Sequence, residues 1–303
     1  MRTDQTRAVG VFWALTSLMT DYTIDLTPRE VSKLAPLDEF LTAGTGVRIA
    51  VPPRRPFADV VRTAAQVADA GMRPVVPVAA LDMHDVVVLD RALGALAYVG
   101  VEDLMLVGGS PRGLARSLDE TVRMMAAQRF RRRQFRSIGI GRCLERQPVI
   151  DSADLLRAFD AAHIASADHD IKLYLTTRPA FAGESVIGWE RYLRAAGNRL
   201  PVRVALPGLV PARRFLRRGL SHPATNPATN PATNPATTVL ELASALEADP
   251  ACLISGLHFS PRGSAVRTAR WADDIGNGNF VVEGGVEHGY ELAVLSRRRV
   301  NGA

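Results

Sequence analysis

The chain has 303 residues, 47% hydrophobic and 22% charged, an ordinary composition for a soluble globular protein and ample for one large core, although length alone also allows two small domains. Net charge is +6, but Lys33 and Lys172 are the only lysines, and this arginine bias suits a GC-rich coding sequence as well as an anionic partner. The two cysteines, Cys143 and Cys252, are far apart and lack metal-ligand spacing, and a reducing cytoplasm is the simplest setting for them.

Residues 1–20 contain an apolar run, Ala8 to Met19, that is too short to span a bilayer. No small-residue cleavage site follows it, so an amphipathic lead-in helix is predicted, and no transmembrane segment is predicted elsewhere. Next comes DYTIDLTPRE, in which Tyr22, Ile24 and Leu26 alternate with Thr23, Asp25 and Thr27. That is a strand with two unlike faces, stopped at Thr27-Pro28. Asp25 is unusual in a short apolar strand, since an unpaired buried acid is costly. It either caps the turn that follows or is an acid at the mouth of a barrel.

The pattern then repeats. Strands are predicted at 47–51, 74–80, 102–107, 136–141, 171–176, 201–206 and 253–259, and helices at about 60–70, 86–99, 117–125, 152–167 and 184–196, with a last one through Trp271. Gly71, Gly100 and Gly197 close helices that lead back into strands. Eight strand–helix alternations in a chain of this length predict a single (β/α)8 TIM barrel over residues 21–290, with a basic tail at 291–303. A doubly wound open sheet is the runner-up, disfavoured because no GxGxxG follows the first strand. Residues 223–237, PATNPATNPATNPAT, read as a solvated low-complexity insertion. The basic run 129–136, RFRRRQFR, precedes the fifth strand; that is the non-catalytic end of a barrel, so a solvated helix end is expected rather than a nucleic-acid site.

Residues after each strand are the place to look for chemistry. Asp25, Glu145 and His258 are the titratable groups that stand out there. A lone His such as His258, beside Phe259, is more often a hydrogen-bonded core residue than a catalyst. Spacing alone goes no further than an α/β barrel enzyme.

Several segments, taken in order over about residues 15–275, resemble the methylenetetrahydrofolate reductases: TIDLTPRE, RPVVPVAALD, VEDLMLVGGSPRG, IGIGRCLERQP, LYLTTRPAF, VALPGLVPARRFLR and ISGLHFSPRGSAVRTARW. Asp25 stands where that family carries an acid. The chain departs from the family at Val78, Ser110, Cys143, Gln147 and Thr177, while Glu145 and Pro148 are retained. Several of the departures replace flavin contacts, which resembles the flavin-free actinobacterial branch. The resemblance implies cytoplasmic reduction of 5,10-methylenetetrahydrofolate to 5-methyltetrahydrofolate, with NADH or NADPH as hydride donor and no bound FAD. It implies Asp25 as the general acid, or as the group that stabilises the iminium cation. Ser110, Glu145, Thr177 and His258 become candidate substrate contacts, and Phe181 and Phe259 candidate flat surfaces for the nicotinamide. The alternatives are a folate-dependent methyltransferase or demethylase on the same barrel, and a non-catalytic relative that binds folate or a protein. A small-molecule partner is expected, with neither nucleic acid nor membrane.

Overall fold

The computed structural model describes residues 2–34, 36–50, 56–79, 86–107, 118–119, 121–123, 125, 135–141, 152–180, 182–209, 235–261, 263–285 and 289–295. Eight parallel strands among them close into a barrel: β1 (Thr23–Leu26), β2 (Gly46–Ile49), β3 (Arg73–Ala79), β4 (Asp103–Val107), β5 (Ser137–Ile140), β6 (Lys172–Thr176), β7 (Val202–Pro207) and β8 (Ile254–Ser260). Closure is made at β1, where Thr23 lies in register with Gly46 of β2 on one side and His258 of β8 on the other. This is the predicted (β/α)8 fold, and each strand falls within a residue or two of its expected place.

The strands alternate because the two faces of the wall differ. Ile24, Leu26, Val47, Ile49, Leu104, Leu106, Ile138, Ile140, Leu173, Leu175, Val204, Leu206, Leu257 and Phe259 are all buried in the continuous apolar core beneath the helices. The opposite parity carries Thr23, Asp25, Arg48, Arg73, Asp103, Met105, Ser137, Gly139, Tyr174, Arg203, His258 and Ser260. Branched aliphatics dominate the lumen of most barrels. Here most lumenal positions are polar, with Val75, Met105 and the Tyr174 ring among them, and a parallel sheet that would otherwise read as continuous apolar runs reads with period two. Full burial of each outward aliphatic contributes about 1.5–3 kcal/mol, so the fold rests on the helix side.

Helices α1 (Arg2–Thr20), α2 (Pro28–Leu34), α3 (Phe57–Asp69), α4 (Val86–Tyr98), α5 (Ser152–His169), α6 (Gly183–Ala195), α7 (Ala236–Ala248) and α8 (Ala265–Gly276) surround the described wall. The turn after β1 is a capping box. The Thr27 amide and hydroxyl donate to Glu30 at 2.8 and 2.7 Å, the Glu30 amide returns a 3.2 Å bond, and Pro28 takes the first helical position, where its missing N–H costs nothing. Gly71, Gly100 and Gly197 take φ of 76°, 79° and 94°, the left-handed exits expected of them.

The predicted lead-in helix is present as α1, and it belongs to the core, since it buries Val11, Leu15, Leu18 and Met19 and packs on α7 and α8. Two expectations are corrected. Of the repeat, residues 223–234 lie outside the described residues, but Pro235 and Ala236 are buried and begin α7, a helix the sequence reading missed. The basic tail at 291–303 starts inside a strand: β9 (Phe280–Gly285) and β10 (Gly289–Val294) form an antiparallel pair, anchored where Phe280 stacks on Phe12 with ring centroids 4.7 Å apart. No helix among the described residues is long and apolar enough to cross a membrane.

Candidate active site

Asp25 and Arg48 sit opposite each other in the β1–β2 register, at the C-terminal end of the barrel. Register and parity aim both side chains into the lumen, where they meet as a two-pronged pair. Arg48 Nε donates to Asp25 Oδ1 at 2.5 Å and Nη2 donates to Oδ2 at 2.6 Å. Ser260, the last residue of β8, donates its hydroxyl to Oδ2 at 2.8 Å. His258 completes the cluster, with Nε2 lying 3.4 Å from Asp25 Oδ1 and Nδ1 lying 2.8 Å from the Thr23 hydroxyl. Arg48 Nη1 also reaches Met105 Sδ at 3.2 Å. The mouth of a (β/α)8 barrel at the strands' C-terminal ends is where this fold carries catalysis, so a charged, mostly buried cluster there is consistent with an enzyme.

The charges determine what the cluster does. Burial alone pushes the Asp25 carboxyl up, but His258 and the Arg48 guanidinium outweigh burial and hold it well below the usual carboxylate range. For His258 burial lowers the pKa and the adjacent Arg48 charge lowers it further, while Asp25 only partly offsets them, leaving it at about 4. Near neutral pH the site therefore holds a carboxylate, a guanidinium and a neutral imidazole. A depressed carboxyl is the direction that favours the ionised form over a proton donor. Asp25 is not a simple turn cap: the turn is capped by Thr27 and Glu30 instead.

The remaining candidates separate by parity. Phe259 follows His258 and faces the opposite way, fully buried between Tyr22 and Trp271 with ring centroids 5.9 Å away in each case. It packs the core and offers the lumen no surface for a nicotinamide. Thr177 is also buried, and its hydroxyl accepts the Ala205 amide of β7 at 2.8 Å, so it stitches two strands together rather than facing a substrate. Val78 shares the outward parity of Val76 and packs against the core. Ser110, Glu145, Phe181, Cys143 and Gln147 lie outside the described residues. The described residues contain no group of three or more His, Cys, Asp or Glu able to hold a metal ion.

Arg48 and Ser260 were not singled out in the sequence, though each left a signal. Arg48 is a charge at an alternating position within the apolar run VRIAV, and Ser260 shares the parity of His258 two residues on.

No family model matches the chain. Solved structures similar to it include a protein of Burkholderia cenocepacia described as a phosphonomutase, at 12% identity and a TM-score of 0.46 over 83% of this chain and 90% of that one. A mandelate racemase/muconate lactonizing enzyme of Bordetella bronchiseptica matches at 14% and 0.43, over 86% of this chain, which spans only 58% of that protein. CutC of Streptococcus agalactiae, described as a copper homeostasis protein, matches at 9% and 0.44, over 79% and 98% of the two chains. At TM-scores below 0.5 these likenesses carry no argument about this chain, whose fold is shown by its own strand order.

Proposed function

We propose that the chain is an enzyme acting at the C-terminal mouth of its barrel, and that the reaction is of the methylenetetrahydrofolate reductase type. The observation that carries this reading is Asp25, an ionised carboxylate held at the mouth by Arg48 and Ser260. It stands where the sequence resemblance implies an acid. In that reaction the five-membered ring of the folate opens to an iminium cation, and NADH or NADPH supplies the hydride that reduces it. The part assigned to this chain is electrostatic. A carboxylate oxygen beside a developing cation favours it, and here that cation shares Asp25 with Arg48, which already pairs with both of its oxygens. The proton that opens the ring then comes from solvent or another group, since the Asp25 carboxyl is ionised. His258, neutral and hydrogen-bonded to Thr23, holds the back of the carboxylate, and the Ser260 hydroxyl is the contact a substrate donor replaces. The assay is NAD(P)H oxidation by purified protein that depends on methylenetetrahydrofolate, with the absorbance spectrum recorded for flavin. Methylene-dependent oxidation without flavin supports the reading, and a folded protein that oxidises neither nucleotide contradicts it.

One observation favours a second reading, a non-catalytic relative. Asp25 already accepts three close bonds, and a carboxylate offers about four acceptor positions. A charge so completely satisfied also serves as a plug that closes the lumen. Folate binding without turnover is the outcome that selects it.

A further inference from the structure

The opposite end of the barrel holds a second charged cluster that the proposed reaction does not use. A cavity of about 430 Å³ opens at the N-terminal ends of the strands, within the size range of small-molecule sites. Four cations line it, Arg73, Arg136, Lys172 and Arg203, against two carboxylates, Asp21 and Asp103. Both carboxylates are already engaged. Asp103 accepts from Arg73 at 3.1 Å, Arg136 at 2.6 Å and the Ser137 hydroxyl at 2.7 Å, and Asp21 accepts from Arg203 at 2.8 Å and also from Arg73. Two positive charges remain beyond those the lining balances; Glu102, 3.9 Å from Arg136 at the rim, answers part of one.

The guanidinium of Arg203 makes the excess specific. Its side chain is only 14% exposed, yet its carboxylate partner Asp21 is 57% exposed. Its guanidinium carbon lies 5.2 Å from the centre of the Tyr174 ring, over its face. Tyr174 in turn occupies the lumen because β5 has Gly139 beside it, where a Cβ would come within 2.6 Å of the ring. A half-closed cavity with a held arginine, two more arginines and a lysine has the donor chemistry of an oxyanion site: guanidinium forks match phosphate and carboxylate oxygens in pairs, and an ammonium adds a point charge.

We infer that the N-terminal mouth of the barrel binds a small dianion, a phosphate monoester or a dicarboxylate, between Arg203, Arg136 and Lys172. This site is independent of the reaction proposed at the other mouth, and each can fail without the other. Isothermal titration of the full chain at low ionic strength, with inorganic phosphate, pyrophosphate and succinate as probes, tests it and tells phosphate from carboxylate chemistry. Binding of at least one probe is expected, and it weakens as salt is added. The exposed Lys172→Glu substitution leaves the fold intact, as its melting curve will show, and weakens binding about tenfold or more, the effect of reversing one charge at the rim. It also leaves any turnover at the Asp25 site unchanged. Absence of heat from all three probes overturns the inference. So does binding of equal strength in Lys172→Glu, which places the anion elsewhere.

Discussion

His258 gives the sharpest test of the charges at the candidate active site. It is fully buried, and burial together with Arg48 takes its pKa from 6.5 in the unfolded chain to about 4. The unfolded state therefore binds a proton at a higher pH than the folded state. Stability contributed by the neutral imidazole is complete above about pH 6.5 and is lost steadily as pH falls towards 4. At about 1.4 kcal/mol per unit, the whole window is worth about 3 kcal/mol, and the step from pH 7 to pH 5 about 2 kcal/mol. His258→Asn keeps a group able to bond the Thr23 hydroxyl but has nothing to titrate. Urea unfolding of wild type and His258→Asn at a series of pH values between 5 and 7 reads the effect, because the other carboxylates are common to both and the Arg48 pair still holds Asp25 low. The wild type should lose about 2 kcal/mol more than the variant between pH 7 and pH 5. Parallel curves, or an imidazole that titrates near 6.5 by NMR, would refute the account of how Arg48 sets this site.

Further expectations follow from single contacts. Arg48→Met removes both prongs from Asp25 and the charge that depresses His258, so the His258 pKa should rise, by NMR titration, and stability should fall by about 2–4 kcal/mol, the range for a mostly buried pair that loses one partner; an unchanged His258 pKa would contradict this. Phe259→Leu should cost about 1 kcal/mol of unfolding free energy and leave the KM for NAD(P)H unchanged, whereas a selective rise in that KM would return Phe259 to the cofactor. Gly139→Ala forces a Cβ against Tyr174 and should destabilise by about 1–3 kcal/mol in urea unfolding, with Tyr174→Leu in the same chain recovering most of it. Leu242→Ala, in α7 beside the repeat, should cost about 2–5 kcal/mol, and a loss below 1 kcal/mol would return that segment to the solvent.

Most of the barrel was legible because its two wall faces differ so strongly. Ile24 and Leu26 against Thr23 and Asp25, or Leu257 and Phe259 against His258 and Ser260, announce period two wherever they occur. Glycine exits gave the helix ends. The site was only half legible. Asp25 stood out as an acid in a strand, but its partner Arg48 lies in the next strand, and their pairing depends on a register that a single sequence does not contain. Parity alone separates His258 from Phe259; pairing the two as neighbours at one strand end merged a lumenal residue with a core residue. Thr177 misled in the same way, because a hydroxyl at a strand end serves a backbone amide as readily as a substrate. Helix α7 was hidden because its first turn is the last unit of a proline-rich repeat. The β9–β10 hairpin was hidden because it lies beyond the eighth strand, where the barrel pattern had already ended.

The central claim is that Asp25 acts as a fixed carboxylate in turnover. The measurement that meets it most directly is the steady-state rate of methylenetetrahydrofolate-dependent NAD(P)H oxidation by wild type and by Asp25→Asn, with a melting curve for each. Asn keeps the size and several hydrogen bonds of Asp25 but holds no charge. The account predicts a folded variant whose kcat falls about 10²–10³-fold, the usual cost of removing one preorganised charge or dipole from a developing ion. Wild-type turnover in folded Asp25→Asn would contradict it.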